Sequence, residues 1–501
     1  MADQSPQSRV MQARRSCQFC ARRKIRCSKE LPICSSCTTH QRKCIYDKRA
    51  LPEDLGSQEA DRQILHSLAR PPPRQRTRDD YRSSIRFLDH GVFLRTQGVS
   101  FADQPISQPV PNLIHTLVGD RDAMHETATY YFRAASPWLP IVSKRRVFDQ
   151  LLNPLLSPLR ADTYFLLLCM LVITQPSPVE GLCSEEYHAA TQFRAELEVS
   201  GALSLNILQG CIMLAVYEQG NAIYPAAHLS VGGCLKQATA LGLGWTYSWP
   251  DSHLPAEQVR AEERRRVWWA IYLLERIQTL GNQGQILLVP EPDLGAQLPW
   301  SEAGWDECKI PTSPSTLSSP SSRVGRYSAI IQASFLLSNV YAHLSHSFTD
   351  KSSQQREVKQ LQNTLDALMR YTIPEGSAEL KVLCYFRAIG TAAKLILLEP
   401  YIHSSDDPSF LEYARSAMDD TLTSTFTSAD AYVQLVTDTT KPGVVSPFIL
   451  PWLYIAAKKC ILDDKPKDLA LLETAIAKLS WRWKAADSYT NLLAAFKVMH
   501  S

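Results

Sequence analysis

The sequence predicts a mostly α-helical protein with a small cysteine-rich module at its N-terminus, a flexible linker and a large all-α domain. Six of the thirteen cysteines lie between residues 17 and 44. From about residue 113, apolar residues recur at three- and four-residue spacing, the pattern of helices that bury one face. No alternation of strand and helix patterns appears, so a parallel α/β sheet is not expected.

Composition favours a chain with a large core. Of 501 residues, 45% are apolar and 21% are charged. The longest charge-free apolar stretch, residues 164–174, is shorter than the roughly 20 residues of a membrane span, so we expect a buried helix and no membrane partner. The first 17 residues lack the apolar segment of a secretory signal, so reduced cysteines are expected rather than disulfides.

Charge is distributed unevenly along the chain. Residues 1–50 hold twelve Lys and Arg against three Asp and Glu, a balance of +9, and the other 451 residues carry −6. A small basic segment on a mildly acidic body predicts that the N-terminus meets a polyanion, with nucleic acid as the first candidate.

The cysteine spacing contains an internal repeat. Cys17, Cys20 and Cys27 recur seventeen residues later, which predicts two equivalent half-sites; the repeated positions are Cys34, Cys37 and Cys44. Zinc prefers four tetrahedral ligands and binds thiolates well. Six cysteines complete two four-ligand sites only if two sulfurs are shared, so the spacing predicts a compact cluster of two zinc ions. Metal binding would then supply the folding energy that so short a segment lacks.

The stretch CQFCARRKIRC, a loop with Pro32, and CSSCTTHQRKC closely resemble the fungal zinc binuclear cluster family of transcription factors. The resemblance implies that Cys17 and Cys34 bridge the two metals and that the other four cysteines are terminal ligands. Ala21 departs from the family pattern, which usually has Arg there, so a phosphate contact is expected to be missing.

The first six-residue gap, ARRKIR, is more basic than the second, TTHQRK. The resemblance implies that a short first helix reads the major groove of double-stranded DNA, with Arg23 and Lys24 on the bases of CGG-type triplets. Guanine N7 and O6 accept hydrogen bonds from such side chains. Phosphate contacts are expected from Arg22, Arg26, Arg42 and Lys43.

Alternative interpretations apply to several of these residues. The basic pairs at 14–15 and 48–49 are, taken alone, typical of a solvated surface or a nuclear import signal. An iron–sulfur cluster needs four cysteines and leaves the repeat unexplained. His40 is expected at the surface and not on a metal. The seven remaining cysteines lack ligand spacing and are interpreted mainly as packing residues: Cys169, Cys183, Cys211, Cys234, Cys308, Cys384 and Cys460.

The domain boundaries follow from these patterns. We expect a disordered basic N-terminus at 1–16, the zinc module at 17–44, a largely disordered linker at 45–112 and the all-α domain at 113–501. Leucines between 51 and 68 do not sustain heptads, so no coiled coil is predicted. A Ser/Pro loop at 310–323 contains two Ser-Pro pairs open to phosphorylation, although such loops are more often simple connectors.

Four stretches resemble the fungal-specific transcription factor domain that accompanies the cluster; they lie at 129–148, 229–250, 262–277 and 382–402. Glu262 and Glu263 suit a helix N-terminus and Arg276 its C-terminal end. The apolar surface that begins at Val267 is interpreted as core. The arginine run at 264–266 is expected to pair with acidic residues of the same domain.

The resulting hypothesis is a nuclear, sequence-specific regulator of RNA polymerase II transcription that controls one pathway, such as a secondary-metabolite gene cluster. Expected partners are promoter DNA and the transcriptional machinery, with a homodimer possible without a coiled coil. One alternative is a zinc-containing scaffold that binds proteins, and another is a regulator of primary metabolism or nutrient use. The signatures of a nucleophile elbow, a P-loop, a dinucleotide site and a zinc protease are absent from the sequence, so no enzyme is predicted.

Overall fold

The computed structural model describes residues 12–40, 42–46, 106, 108–153, 159–176, 183–245, 255–280, 287–311, 313–318, 325–370, 385–403, 407–435 and 445–500. The chain divides into two compact units, 1–99 and 100–501. Within the described ranges there is no strand, only two isolated bridges. No helix in these ranges is long and apolar enough to cross a bilayer. The mostly α fold with a cysteine cluster before a large helical domain is confirmed.

The N-terminal unit contains two short helices, α1 (Gln18–Arg23) and α2 (Ser35–Thr39). Each is capped by the cysteine before it, whose sulfur accepts a backbone N–H: Cys17 Sγ from Cys20 at 3.5 Å, and Cys34 Sγ from Cys37 at 3.4 Å. Helices this short are not stable alone. Their ends must therefore be fixed by the cysteines that they carry.

In the part of the second unit that the structure describes, the regular elements are helices. Its helices run in the order α3 (Asn112–Val118), α4 (Arg121–Ala134), α5 (Lys144–Leu152), α6 (Ala161–Thr174), α7 (Glu185–Val199), α8 (Leu205–Gly220), α9 (Ala226–Ala240), α10 (Pro255–Thr279), α11 (Glu302–Asp306), α12 (Arg326–Ser345), α13 (Lys351–Arg370), α14 (Tyr385–Leu398), α15 (Pro408–Leu435), α16 (Leu450–Leu462), α17 (Pro466–Ala477) and α18 (Ala485–His500). Two 3₁₀ turns lie at Glu399–Tyr401 and Pro447–Ile449.

The core of this unit is built around α6 and α8, which pack against each other. Helix α6 contains the predicted buried stretch, and all residues of α8 from 206 to 220 are buried. Helices that are buried on nearly all sides form the interior of a large domain. Two glycines of α8 allow close packing, because a Cβ at Gly210 would lie 2.6 Å from Phe165 and one at Gly220 would lie 2.2 Å from Trp483.

Helix α10 corrects one expectation from the sequence. It begins at Pro255, a residue favoured in the first turn, so Glu262 lies inside the helix and not at its N-terminus. There it accepts hydrogen bonds from Arg266 Nε at 2.8 Å and from the Trp300 N–H at 2.9 Å, and it pairs with Arg265. The predicted pairing with acidic residues of the same domain is confirmed for Arg265 and Arg266.

The neighbouring Glu263 is also interior to α10 and 1% exposed. It accepts hydrogen bonds from Arg146 Nη2 at 2.7 Å, from Gln209 Nε2 at 2.9 Å and from the Ser143 N–H at 2.9 Å. Burial alone would raise the pKa of Glu263, but the charge and hydrogen bonds of Arg146 lower it below the ordinary value. This carboxylate joins α10 to α5 and α8.

Other predictions for the helical unit are confirmed. Arg276 lies in the last turn of α10 and the apolar residues that begin at Val267 are buried. Four of the later cysteines are buried and two are half-buried, all with free thiols, and Cys384 lies outside the described residues.

The Ser/Pro loop is partly held in place. Backbone hydrogen bonds connect Leu298 to Ser315 at 2.8 Å and Ser318 to Leu294 at 2.9 Å. The first Ser-Pro pair, at 313–314, is exposed, whereas the second, at 319–320, lies outside the described residues. The leucines tested for heptads and the basic pair at 48–49 also lie outside them.

Candidate metal centre

The six N-terminal sulfurs converge into two overlapping groups of four. In each group, all ligand atoms lie within 4.8 Å of one another. Both groups contain Cys17 and Cys34; the first adds Cys20 and Cys27, and the second adds Cys37 and Cys44. The six sulfurs therefore form two groups of four by sharing two sulfurs, as the cysteine spacing predicted.

The sulfur separations fit tetrahedral zinc. Cys17 Sγ lies 3.8 Å from Cys34 Sγ and 3.6 Å from Cys37 Sγ, and Cys20 Sγ lies 3.7 Å from Cys34 Sγ. Four sulfurs at about 2.3 Å from a zinc ion form a tetrahedron with edges of about 3.8 Å. The donor set and its spacing therefore suit zinc, which when bound would supply the positive charge that holds the thiolates together.

The burial of Cys20 and Cys44 favours a bound cation at these sulfurs. Burial raises the pKa of the Cys20 thiol to about 12 and that of Cys44 to about 11. Burial also disfavours the Cys17 thiolate, but hydrogen bonding, first from the Cys20 backbone N–H, lowers the pKa of Cys17 overall. Closely packed thiols of this kind become ligands when a cation replaces their protons.

Hydrogen bonds connect the two halves of the module. Ser36 Oγ donates to the Arg26 carbonyl at 2.8 Å, and Ser28 Oγ accepts the Ser35 N–H at 2.8 Å. The Tyr46 hydroxyl donates to the Glu30 carbonyl at 3.1 Å. These contacts fix the loop between the helices, and the two serine contacts were not predicted because serines in a polar loop give no distinctive signal.

The packed unit extends beyond the first and last cysteines. Ala13 is 4% exposed and donates its N–H to the Lys29 carbonyl at 2.7 Å. At the other end, the Ile45 carbonyl accepts the Gln18 N–H at 2.8 Å. Residues on both sides of the cysteine repeat thus contribute to the fold of the module.

The six predicted DNA-contacting side chains are all exposed on the module. Arg22 and Arg23 form the last turn of α1, and Lys24 follows in the left-handed conformation with φ of 53°, which ends the helix. Arg26 comes just before Cys27 in the same segment. In the second half, Arg42 and Lys43 lie between α2 and Cys44, and His40 is exposed as expected.

The helical unit contains a groove of about 700 Å³ between α12 and α13. Its charged lining residues are Arg356 and Glu357. Glu357 Oε2 lies 3.4 Å from Nδ1 of the buried His343, whose Nε2 is 2.9 Å from the Tyr401 hydroxyl. These contacts connect α12, α13 and the turn after α14, which is a structural role for the titratable groups at this groove.

Comparison with known proteins identifies the family. Residues 15–52 match the profile of the fungal Zn(2)-Cys(6) binuclear cluster domain, and residues 128–370 match that of the fungal specific transcription factor domain. The chain is 44% identical to transcription factor BOA15 of Botryotinia fuckeliana over 158 residues. This aligned stretch covers 31% of this chain and 84% of that protein. The chain belongs to the fungal zinc cluster transcription factors.

Two further relatives of this zinc cluster transcription factor align over longer stretches. The pigment biosynthesis transcriptional activator pigB of Monascus ruber is 25% identical over 326 residues, 59% of this chain and 56% of that protein. The azaphilone cluster-specific transcription factor azaR of Aspergillus niger is 24% identical over 303 residues, 57% of this chain and 62% of that protein.

Membership in this family confirms the predicted class of protein. The protein is a fungal transcription factor and not an enzyme, and its cysteine module is a zinc-binding domain. Zinc cluster transcription factors bind DNA, and membership implies a nuclear location.

Proposed function

We propose that this zinc cluster transcription factor binds double-stranded DNA in the nucleus and regulates transcription by RNA polymerase II. In this proposal, residues 17–44 bind two zinc ions and read DNA, residues 45–112 are a linker, and residues 113–501 are the regulatory domain. The observation that carries the proposal is an exposed basic segment held between two cysteines of one four-sulfur group, Cys20 and Cys27.

The geometry of this segment supports base contacts from Arg23 and Lys24. Both are exposed at the C-terminal end of α1, where the backbone turns at Lys24. A Lys or Arg at the end of a helix in the major groove can donate to guanine N7 and O6, which fits CGG-type triplets. Phosphate contacts are assigned to the four remaining basic residues: Arg22, Arg26, Arg42 and Lys43.

Ala21 gives the proposal a further feature. It is exposed on α1, one position before Arg22, and its side chain has no hydrogen-bond donor. We therefore expect fewer phosphate contacts from this helix than from a relative with Arg at this position, and a correspondingly smaller salt dependence of binding.

The relatives' names support a narrower regulatory role. One is described as a pigment biosynthesis activator and another as specific to an azaphilone cluster. We propose that this protein likewise controls a secondary-metabolite gene cluster, with the transcriptional machinery as a partner. Genome-wide mapping of its binding sites tests this role, and we expect enrichment at the promoters of such a cluster. Enrichment at nutrient-use genes would instead favour a regulator of primary metabolism or nutrient use.

Lys24→Ala in the full-length chain tests DNA reading. Binding is measured by fluorescence anisotropy with a duplex containing a CGG triplet and with a scrambled duplex. We expect the variant to lose about 1–3 kcal/mol of discrimination between the two duplexes, because the proposed base contact is gone. Its zinc content, measured by elemental analysis, should remain two per chain.

Lys43→Ala is the matched control, since it also removes an exposed lysine from the module. As a phosphate contact, it should weaken binding to both duplexes equally and lower the salt slope by about 1. A Lys24→Ala variant that keeps the preference would contradict the assignment of that residue. Equal binding of both duplexes by the zinc-loaded wild type would favour the protein-binding scaffold.

A further inference from the structure

The two four-sulfur groups are related by the sequence repeat, but their surroundings differ. The repeat places Cys44 in the second half where Cys27 lies in the first. Cys44 Sγ accepts the backbone N–H of Cys34 at 3.4 Å. Its counterpart, a hydrogen bond from the Cys17 N–H to Cys27 Sγ, is not found in the described part of the module.

Cys27 has a different neighbour. The Tyr46 hydroxyl lies 3.7 Å from Cys27 Sγ and also donates to the Glu30 carbonyl at 3.1 Å. The residue that the repeat makes equivalent to Tyr46 is Lys29, which has no phenol and adopts φ of 61°. The aromatic hydroxyl therefore serves only one of the two sulfur groups among the described residues.

We propose that Tyr46 is a positioning residue for the Cys20–Cys27 metal site and makes the two zinc sites unequal in metal retention. The Tyr46 hydroxyl contacts both the Cys27 sulfur and the Glu30 carbonyl, so it orients a terminal ligand and ties that ligand to the loop. The ring is half-buried against the sulfur cluster, which keeps the hydroxyl in place.

The chemistry of metal sites explains why this contact matters. Groups that hydrogen-bond to a metal ligand fix its orientation, and their loss typically costs 10–100-fold in metal affinity. The Cys44 sulfur has a backbone amide as its donor, which no side-chain substitution removes. The site that depends on Tyr46 is consequently the one that substitution can weaken separately. This inference rests on the two-zinc binding that the proposed function includes.

Tyr46→Phe in the full-length chain tests the proposal, because it removes the hydroxyl and keeps the ring. Zinc release to a chelator is followed with a colorimetric dye, and alkylation followed by mass spectrometry identifies the cysteines that become reactive. We expect about tenfold faster release of one zinc ion, with faster alkylation of Cys20 and Cys27 and unchanged alkylation of Cys37 and Cys44.

Ser36→Ala is the control, because Ser36 Oγ fixes the Arg26 carbonyl beside the same site without touching a sulfur. It should leave the release of both zinc ions within about twofold of wild type. The proposal would be overturned if Tyr46→Phe accelerated the release of both zinc ions equally or of neither. It would also be overturned if Ser36→Ala accelerated zinc release as much as Tyr46→Phe. A wild-type chain with fewer than two zinc ions would instead contradict the two-zinc part of the proposed function.

Discussion

The zinc module and the helical unit both form helices, but different interactions lie at their centres. Among the described residues of the module, the buried ones are Ala13 and four cysteines. In the helical unit, they include large side chains such as Trp138, Trp269 and Trp483, together with buried ion pairs. One region is organised by a cluster of cysteine sulfurs whose spacing suits zinc, and the other by close packing around α6 and α8.

This contrast shows that secondary structure does not reveal what stabilises a region. Helices α1 and α2 are six and five residues long, and each directly follows a cysteine of the sulfur cluster. Helix α8 has sixteen residues and buries nearly all of them. Substitutions that act on metal ligands, on a buried charge and on packing should therefore affect the two units separately.

The largest expected effect comes from Cys17→Ser, because Cys17 belongs to both four-sulfur groups. We expect both zinc ions and the fold of the module to be lost, since structural zinc supplies about 10–16 kcal/mol in modules of this kind. Elemental analysis gives the metal content, and hydrogen exchange shows whether α1 and α2 remain protected. The helical unit should be unaffected.

Two controls sharpen this prediction. Cys44→Ser removes a sulfur from one group only, so one four-sulfur site should survive and hold one zinc ion. Cys183→Ser changes a half-buried cysteine outside the cluster and should leave the zinc content unchanged. If Cys17→Ser and Cys44→Ser retained the same amount of zinc, the assignment of Cys17 as a shared ligand would be wrong.

The sequence predicted the module better than the helical unit because the number and spacing of cysteines in one short segment determine which sulfurs can meet at a metal ion. Ligand number and spacing were enough to predict two groups with two shared sulfurs, and the structure brings the same cysteines together. The contacts of Ala13 and Tyr46 were missed because they depend on how the chain folds back on the cluster. Neither residue has a ligand side chain that would have indicated a role.

In the helical unit, periodicity predicted that helices exist but not where each one begins. Glu262 and Glu263 were placed at a helix start because acidic residues suit that position. Their actual partners include Arg146, more than a hundred residues away, and the backbone of Trp300. Such long-range pairs are not visible in a local pattern, and they explain why two acidic residues are buried in the middle of α10.

The second prediction is that Glu263→Gln destabilises the helical unit by about 3 kcal/mol, because it leaves Arg146 without its charged partner in a largely buried site. Thermal or urea unfolding measures the loss, and the zinc content should not change. Asp149→Asn is the control: its pair with Arg145 spans 3.8 Å at the surface and should contribute less than about 0.5 kcal/mol.

The pH dependence of this effect has a defined sign. The pKa of Glu263 is lowered in the folded protein, so its stabilisation is complete above the ordinary carboxyl value of 4.5 and is lost as the pH falls through the lower, folded value. The stability difference between wild type and Glu263→Gln should therefore shrink in acid. A difference that grew as the pH fell would contradict the ion pair with Arg146.

The smallest effects come from two glycines that test packing in the helical unit alone. A Cβ at Gly220 would lie 2.2 Å from Cε3 of the buried Trp483, so Gly220→Ala should cost about 1–3 kcal/mol through overpacking. Gly233, inside α9, has nothing within 4 Å of an added Cβ, so Gly233→Ala should stabilise the unit by about 0.5–1 kcal/mol. Urea unfolding of both variants measures the difference. Both substitutions add the same methyl group to a helix, but only the one at Gly220 meets a neighbouring side chain, so the two changes in stability should have opposite signs. Equal changes in stability would mean that helix propensity, and not packing around α8, governs the stability of this region.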